Sequence, residues 1–247
     1  MLRIVDDRTG EPVHAAPARR GLTRVEAHAP DLTPTALRVL LTADLLVRAL
    51  ELGGTPVWSL LSAGDHRPGL RAAAATLGVR PFEDAHDPAT ALGESQIVHV
   101  AGADAAPPER GLLVRVARVE DTAGVLREGG VRAVVDPGAL RLALLAAGRD
   151  SPVRLDPSTL DDAARTLARW RGAVAAWARQ PSRAVPEEVR GRLRAAWEDD
   201  LDVPGVLRVL ASVETDDALP DGARFETYAY ADRLLALDLT RDLGNPT

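Results

Sequence analysis

The chain has 247 residues and a formal net charge of −6, long enough for one large domain or two small ones with a substantial core. It contains no cysteine, which excludes a disulfide framework, a thiolate zinc site and a cysteine nucleophile. All 30 of its Lys-plus-Arg positions are arginine, so no ammonium is available for a phosphate, a Schiff base or a general base.

Acidic and basic residues interleave, and the densest short basic cluster, "PARRGLTR" (17–24), is too small for the basic stripe of a nucleic-acid binder and reads as a solvated loop. No uncharged apolar run approaches about 18 residues. The N-terminus "MLRIVDDRTG" carries charge where a signal peptide needs an apolar run. A cytoplasmic protein with no membrane partner is expected.

In chain order, "LRIVDD" (2–7) followed by "DRTGE" predicts a short strand and a hairpin turn. "GLTRVEAHAP" (21–30) sets Leu22, Arg24, Glu26 and His28 against Thr23, Val25 and Ala27; it predicts a core strand closed by Pro30. Asp31 or Thr33 can cap the helix over 35–52, with Pro34 in its first turn and Gly53–Gly54 as its stop. Leu or Val on nearly every side of that helix predicts burial on more than one face. "TPVWSLLSA" (55–63) is a second strand and "GLRAAAATLG" (69–78) a second helix. Ile97–Val100 is a third strand and "RGLLVRVARV" (110–119) a fourth. Strand and helix alternating at this spacing predict a parallel sheet with crossover helices, doubly wound.

The pattern changes near 136. "DPGALRLALLAAG" (136–148) has Asp as cap, Pro at the first helical position and Gly as stop, and "DPSTLDDAARTLARWRGAVAAWA" (156–178) repeats that start. Leu160, Ala164, Leu167, Trp170 or Arg171, Val174 and Trp177 recur at three- and four-residue steps, a bundle stripe. Helices over 186–199, 203–214 and 225–239 complete the prediction. The expectation is therefore α/β: a nucleotide-type domain over 1–135, then an all-helical bundle over 136–247.

These segments together resemble the cysteinyl-tRNA synthetases and their relatives, the ligases that join cysteine to glucosaminyl-inositol in mycothiol synthesis. "LRIVDDRTGE" is similar to the family's opening strand and turn. "ALRVLLTADLLVRALELGG", with Arg38, Asp44, Arg48 and Gly53, is similar to the helix after its first signature. "AAATLGVRPFEDAHDPATAL" (73–92), "VVDPGALRLALLAAGRDSPVRLDPSTLDDAARTLARW" (134–170) and "LRAAWEDDLDVPGVLRVL" (193–210) follow in the family's order. The resemblance implies a Rossmann-like class I aminoacyl-tRNA synthetase nucleotide fold, with ATP or an adenylate as its ligand and a stem-contact-like bundle behind it.

The departures from the family pattern concern chemistry. Two histidines flanking Ile-Gly should open the helix; Thr33, Pro34, Thr35 and Ala36 stand there. The lysine loop that neutralises pyrophosphate should fall near 112–120, where only Arg115 and Arg118 are basic. The family's zinc is held by thiolates, and this chain has none. "HVAGAD" (99–104) keeps His99, Gly102 and Asp104 of a His-Gly-Gly-Gly-x-Asp segment. The resemblance thus implies a truncated, degenerate paralogue, retained as a small-molecule-binding or regulatory module, with no catalytic residue named and tRNA not expected as a partner. The alternative is an ATP-dependent ligase joining a cysteine-like amino acid to a small acceptor or tRNA through a rebuilt site; a protein partner is the third reading.

The candidate ligand pocket comprises His28, Thr33, Thr35, Ala36, His99, Gly102, Asp104, Arg115 and Arg118. It is expected at the C-terminal ends of the strands, beside the start of the 35–52 helix. His99 is either a ligand contact or a histidine satisfied by backbone; Asp104 either meets a ligand or caps a turn. His66 and His86 are read as solvent-exposed loop residues. No metal site is expected, because no H-x-x-x-H or H-E-x-x-H spacing occurs. Trp170, Trp177 and Trp197 are read as core, and "WEDDLD" (197–202) as helix termination and capping.

Overall fold

A computed structural model describes residues 1–17, 21–85, 94–106, 108, 110–127, 130–133 and 135–244. His86 and parts of the quoted 17–24, 73–92 and 134–170 segments lie outside the described residues.

The chain opens with the expected hairpin: β1 (Arg3–Asp6) pairs antiparallel with β2 (Glu11–His14), and Gly10 takes the left-handed turn at φ 75°. β3 (Leu22–His28) then enters a five-stranded sheet with β4 (Val57–Ser62), β5 (Glu83–Asp84), β6 (Glu94–Gly102) and β7 (Leu112–Val116). Every pairing is parallel and the strand order is β5-β4-β3-β6-β7. The chain runs outward from β3 to β5, then returns to β3's other side. The order therefore reverses between β3 and β6, and that is the switch point of an open α/β sheet.

α1 (Pro34–Leu52) crosses over from β3 to β4 and packs on β3, β6 and β7. Thr33, not Asp31, caps it: its side chain accepts from the Ala36 N–H. Fourteen of its nineteen residues are buried, which explains why leucine and valine surround it. Even Asp44 is 1% exposed, held by Arg48 at 2.8 Å and by Arg80 and Arg141 at 3.2 Å each. A buried carboxylate is tolerable only with such partners. α2 (Arg67–Thr76) makes the second crossover. Beyond β7 lie β8 (Val119–Asp121) and a small ribbon of β9 (Leu126–Arg127) and β10 (Gly130–Val131).

From Pro137 the chain is helical apart from one short strand. α3 (Pro137–Leu145) and α4 (Pro157–Trp177) start on the Asp136 and Asp156 caps. Between them β11 (Val153–Leu155) pairs in parallel with β8, a non-helical element in the expected bundle region. α5 (Glu187–Glu198), α6 (Val203–Glu214) and α7 (Asp221–Leu235) follow. α7 begins and ends earlier than 225–239. Pro220-Asp-Gly reads as a turn, but Gly222 is there because a Cβ would overlap the Pro181 carbonyl. Ala236, left-handed at φ 48°, stops the helix.

One hydrophobic cluster runs from β1 to the C-terminal segment across residue 135. Trp170, Trp177 and Trp197 are buried in it, the first two edge-on to Tyr228. The acidic run does more than cap. Asp202 caps α6 through the Gly205 N–H, while Asp200 accepts from the Val5 N–H and from Arg149, tying the N-terminal hairpin to the bundle. Arginine makes many of these joints. Arg38 donates to the carbonyls of Ala117, Ala147, Gly148 and Ser151. Arg141 reaches Leu77 and Leu235, and Arg171 reaches Leu237 and Asp238. A guanidinium offers five donors in a fixed fork, suited to collecting the carbonyls that helix ends leave unpaired.

Candidate functional site

His28 ends β3 and Gly102 ends β6, so both stand at the switch point. An open cleft of about 980 Å³ lies there, bounded by the first turn of α1, the loop after β6 and the start of β8. Seven of the nine candidate residues line it: His28, Thr33, Thr35, Ala36, Gly102, Asp104 and Arg118.

His99 and Arg115 do not line the cleft. His99 is 7% exposed, beside His28. The Arg115 guanidinium donates to the carbonyls of Gly102, Ala103 and Ala105 at 2.8–3.2 Å, so it braces the cleft loop and is not presented to a ligand.

The first turn of α1 has little left for an anion. The Thr33 N–H goes to the Asp31 carbonyl, the Ala36 N–H to Thr33 Oγ1 and the Leu37 N–H to the Thr33 carbonyl. Pro34 has no N–H. Thr35 is then the one donor of that turn without an acceptor among the described residues, and its hydroxyl accepts from the Val119 N–H at 3.0 Å. The cation in the wall, Arg118, pairs with Asp104 at 2.8 Å. That hydrogen bond holds the Asp104 carboxyl below its ordinary range and raises the Arg118 guanidinium.

A polar strip runs behind His28. Arg24, Glu26 and His28 alternate along β3, and the register sets Glu26 beside His99 of β6. Arg24 meets Glu26 at 2.7 Å. His28 Nε2 and His99 Nδ1 share a hydrogen bond at 2.9 Å, and His99 Nδ1 lies 3.9 Å from Glu26 Oε2. The Arg110 backbone lies beside the His99 ring and opposes the lowering of its pKa. Burial is the chief cause that pushes His99 down to about 4, with His28 and Arg24 adding to it against Glu26. Burial likewise lowers His28 against the pull of Glu26.

Glu26, His28 and His99 each offer a ligand atom, all within 4.8 Å of one another. The thiolate set that the resemblance implies is absent, but one carboxylate and two imidazoles are a set that zinc-type ions accept. A search for helical H-x-x-x-H spacing misses this cluster, because its ligands come from two neighbouring strands. The signal within the sequence is the alternation of Arg24, Glu26 and His28 in a strand that is otherwise core.

A second cavity, about 510 Å³, lies among α3, α4 and α6. Its walls include Leu142 and Leu207, and its cations are already paired, Arg169 with Glu214 and Arg208 with Asp202. The chemistry-bearing side chains gather at the switch point instead.

Sheet order and cleft position define the class: an α/β chain with a Rossmann-like parallel sheet of the class I synthetase type, followed by helices. The chain is similar to L-cysteine:1D-myo-inositol 2-amino-2-deoxy-alpha-D-glucopyranoside ligases. It is 41% identical to that of Thermobispora bispora over 95 residues, covering 37% of this chain and 23% of the relative. The Acidothermus cellulolyticus ligase is 36% identical over 104 residues, 42% of this chain and 25% of the relative. The Streptomyces griseus ligase is 35% identical over 142 residues, 58% and 29%. The chain thus spans about a quarter of the length of the curated relatives it matches. No family model matches it. Among the described residues, no helix is long and apolar enough to cross a membrane.

Proposed function

We propose that this chain is a degenerate relative of the cysteine ligases that keeps the switch-point cleft as a small-molecule-binding or regulatory module without adenylate-forming chemistry. One observation carries this reading: among the described residues only the Thr35 N–H of α1's first turn lacks an acceptor, the other donors being taken by Asp31 and Thr33 or missing at Pro34. Phosphoryl and adenylyl transfer depend on preorganised cations and N–H groups aimed at developing charge. Here the cation in the wall, Arg118, is exposed and paired with Asp104, and is not fixed in position toward a ligand. Each missing group of that kind typically costs about 10²–10³ in rate. Several missing together leave negligible turnover even when the losses do not add.

Such a cleft suits a compact, weakly charged molecule, contacted by His28, Thr33 and the Thr35 N–H. The division into 1–135 and 136–247 belongs to this reading, the first unit holding the ligand and the second bracing it.

The similarity to cysteine ligases favours a second reading: an ATP-dependent ligase joining a cysteine-like amino acid to a small acceptor. A thermal-shift panel in chelator-treated buffer, with ATP, a non-hydrolysable aminoacyl-adenylate analogue and free amino acids, separates the two. Saturating ligand raises stability by about 2.7 kcal/mol at a hundredfold excess over Kd. A shift with uncharged small molecules and none with ATP supports the binding module. A large shift with ATP or the adenylate analogue supports the ligase. No shift with any small molecule removes both in favour of a protein partner.

A further inference from the structure

We propose that Glu26, His28 and His99 bind one transition-metal ion of the zinc type at the inner wall of the cleft. The site does not depend on which small molecule the cleft takes.

The geometry is close to what such an ion needs. Zinc bonds of about 2.0–2.2 Å in a tetrahedral arrangement put neighbouring ligand atoms about 3.3–3.6 Å apart. The observed separations, 2.9 Å between the histidine nitrogens and 3.9 Å from His99 Nδ1 to Glu26 Oε2, bracket that spacing. The third pair, His28 and Glu26, lies within 4.8 Å, and side-chain shifts of up to about an ångström bring all three pairs to that spacing. The ligands also sit on a rigid frame, since β3 and β6 are hydrogen-bonded neighbours in the sheet interior.

One outer contact orients the set, and His99 Nδ1 already faces both His28 and Glu26. Arg24 holds Glu26 Oε2 at 2.7 Å. A carboxylate has about four lone-pair directions, so it can accept from a guanidinium and bind an ion at once. As a ligand through Nε2, His28 carries its one proton on Nδ1, the neutral imidazole that metals bind. His28 lines the cleft. The three protein ligands therefore leave a fourth position facing it, the arrangement of an open zinc site. Imidazole with carboxylate selects zinc, cobalt, nickel or iron over calcium and magnesium.

The test uses untagged, chelator-treated full chain titrated with Zn²⁺ by calorimetry and with Co²⁺ by visible absorption. The expected result is one equivalent bound, with the d–d bands of four-coordinate cobalt. His28→Gln and Glu26→Gln should each weaken Zn²⁺ binding by roughly 10–100-fold or more. His66→Gln and His14→Gln, at exposed positions, should leave it unchanged. His28 is only half-buried, so His28→Gln remains a fair test if the Glu26 variant fails to fold, and circular dichroism monitors folding. Absence of stoichiometric binding by the wild type, or binding that survives His28→Gln and disappears with His14→Gln or His66→Gln, overturns the proposal. Either result leaves the small-molecule panel, run with chelator present, untouched.

Discussion

His28 and His99 meet across the reversal of the sheet, Nε2 of one 2.9 Å from Nδ1 of the other. Their ring centroids are 5.1 Å apart. This bond joins the two strands where the fold opens, and it connects the cleft wall to the buried Arg24–Glu26 pair. Gly111 makes room for it: at φ 87°, a Cβ there would meet the Ile97 carbonyl at 2.8 Å and the His99 ring at 3.1 Å.

Replacing His99 by phenylalanine keeps the ring volume and removes both nitrogens. His28 then loses its ring partner. An unpaired polar group in a buried setting costs about 1–3 kcal/mol. Urea unfolding of His99→Phe should show a loss of that size, and an unchanged midpoint would mean that the hydrogen bond contributes nothing.

Arg38 is 2% exposed and gathers four carbonyls from two chain segments. Burial lowers its guanidinium to about 10, still charged at neutral pH. Arg38→Met fills much of the space but leaves the carbonyls without donors. We expect a loss of about 3 kcal/mol or more, a large share of a typical domain's total stability. Guanidinium chloride unfolding measures it, and a loss below about 1 kcal/mol would show that water or neighbouring groups replace the fork.

Asp156 caps α4, accepting from the Thr159 N–H and from the Ser158 and Thr159 hydroxyls, and these bonds hold its carboxyl down to about 2. Because the folded value lies below the ordinary 3.8, the stabilisation is complete above the unfolded value. It drains away as pH falls through the folded one, from about 4 to about 2. Asp156→Asn does not titrate. The melting temperature of the wild type should exceed that of Asp156→Asn at neutral pH, and the gap should close by about pH 2. A gap that persists there, or that is absent at neutral pH, contradicts this account of the cap.

Much of the fold was legible because the signals were local. Thr33, Asp136 and Asp156 each precede a proline and an apolar stripe, and each caps the helix expected of it. The order β3, α1, β4, α2, β6, β7 followed from alternation and glycine stops, while the two-residue β5 was not read. β11 was not legible: "PVRL" has no internal pattern, and it becomes a strand only because β8 lies beside it. The start of α7 was hidden because Gly222 serves a contact with Pro181 rather than a turn. For the site, the cleft and seven of its residues were readable from the strand ends. That three carbonyls take the Arg115 fork is not visible in a sequence. Glu26 was passed over because a single charged residue in a core strand gains meaning only beside His99 on the next strand.

Cysteine-dependent exchange of pyrophosphate into ATP, measured on the purified full chain, bears most directly on the central claim that the cleft binds without activating. Its outcome depends on the groups around α1's first turn, where Thr35 keeps the one N–H without an acceptor among the described residues and Arg118 is paired with Asp104. The account predicts exchange no faster than the no-enzyme control, from protein that gives a thermal shift with a small uncharged ligand. Robust cysteine-dependent exchange would contradict it and establish the chain as a working ligase.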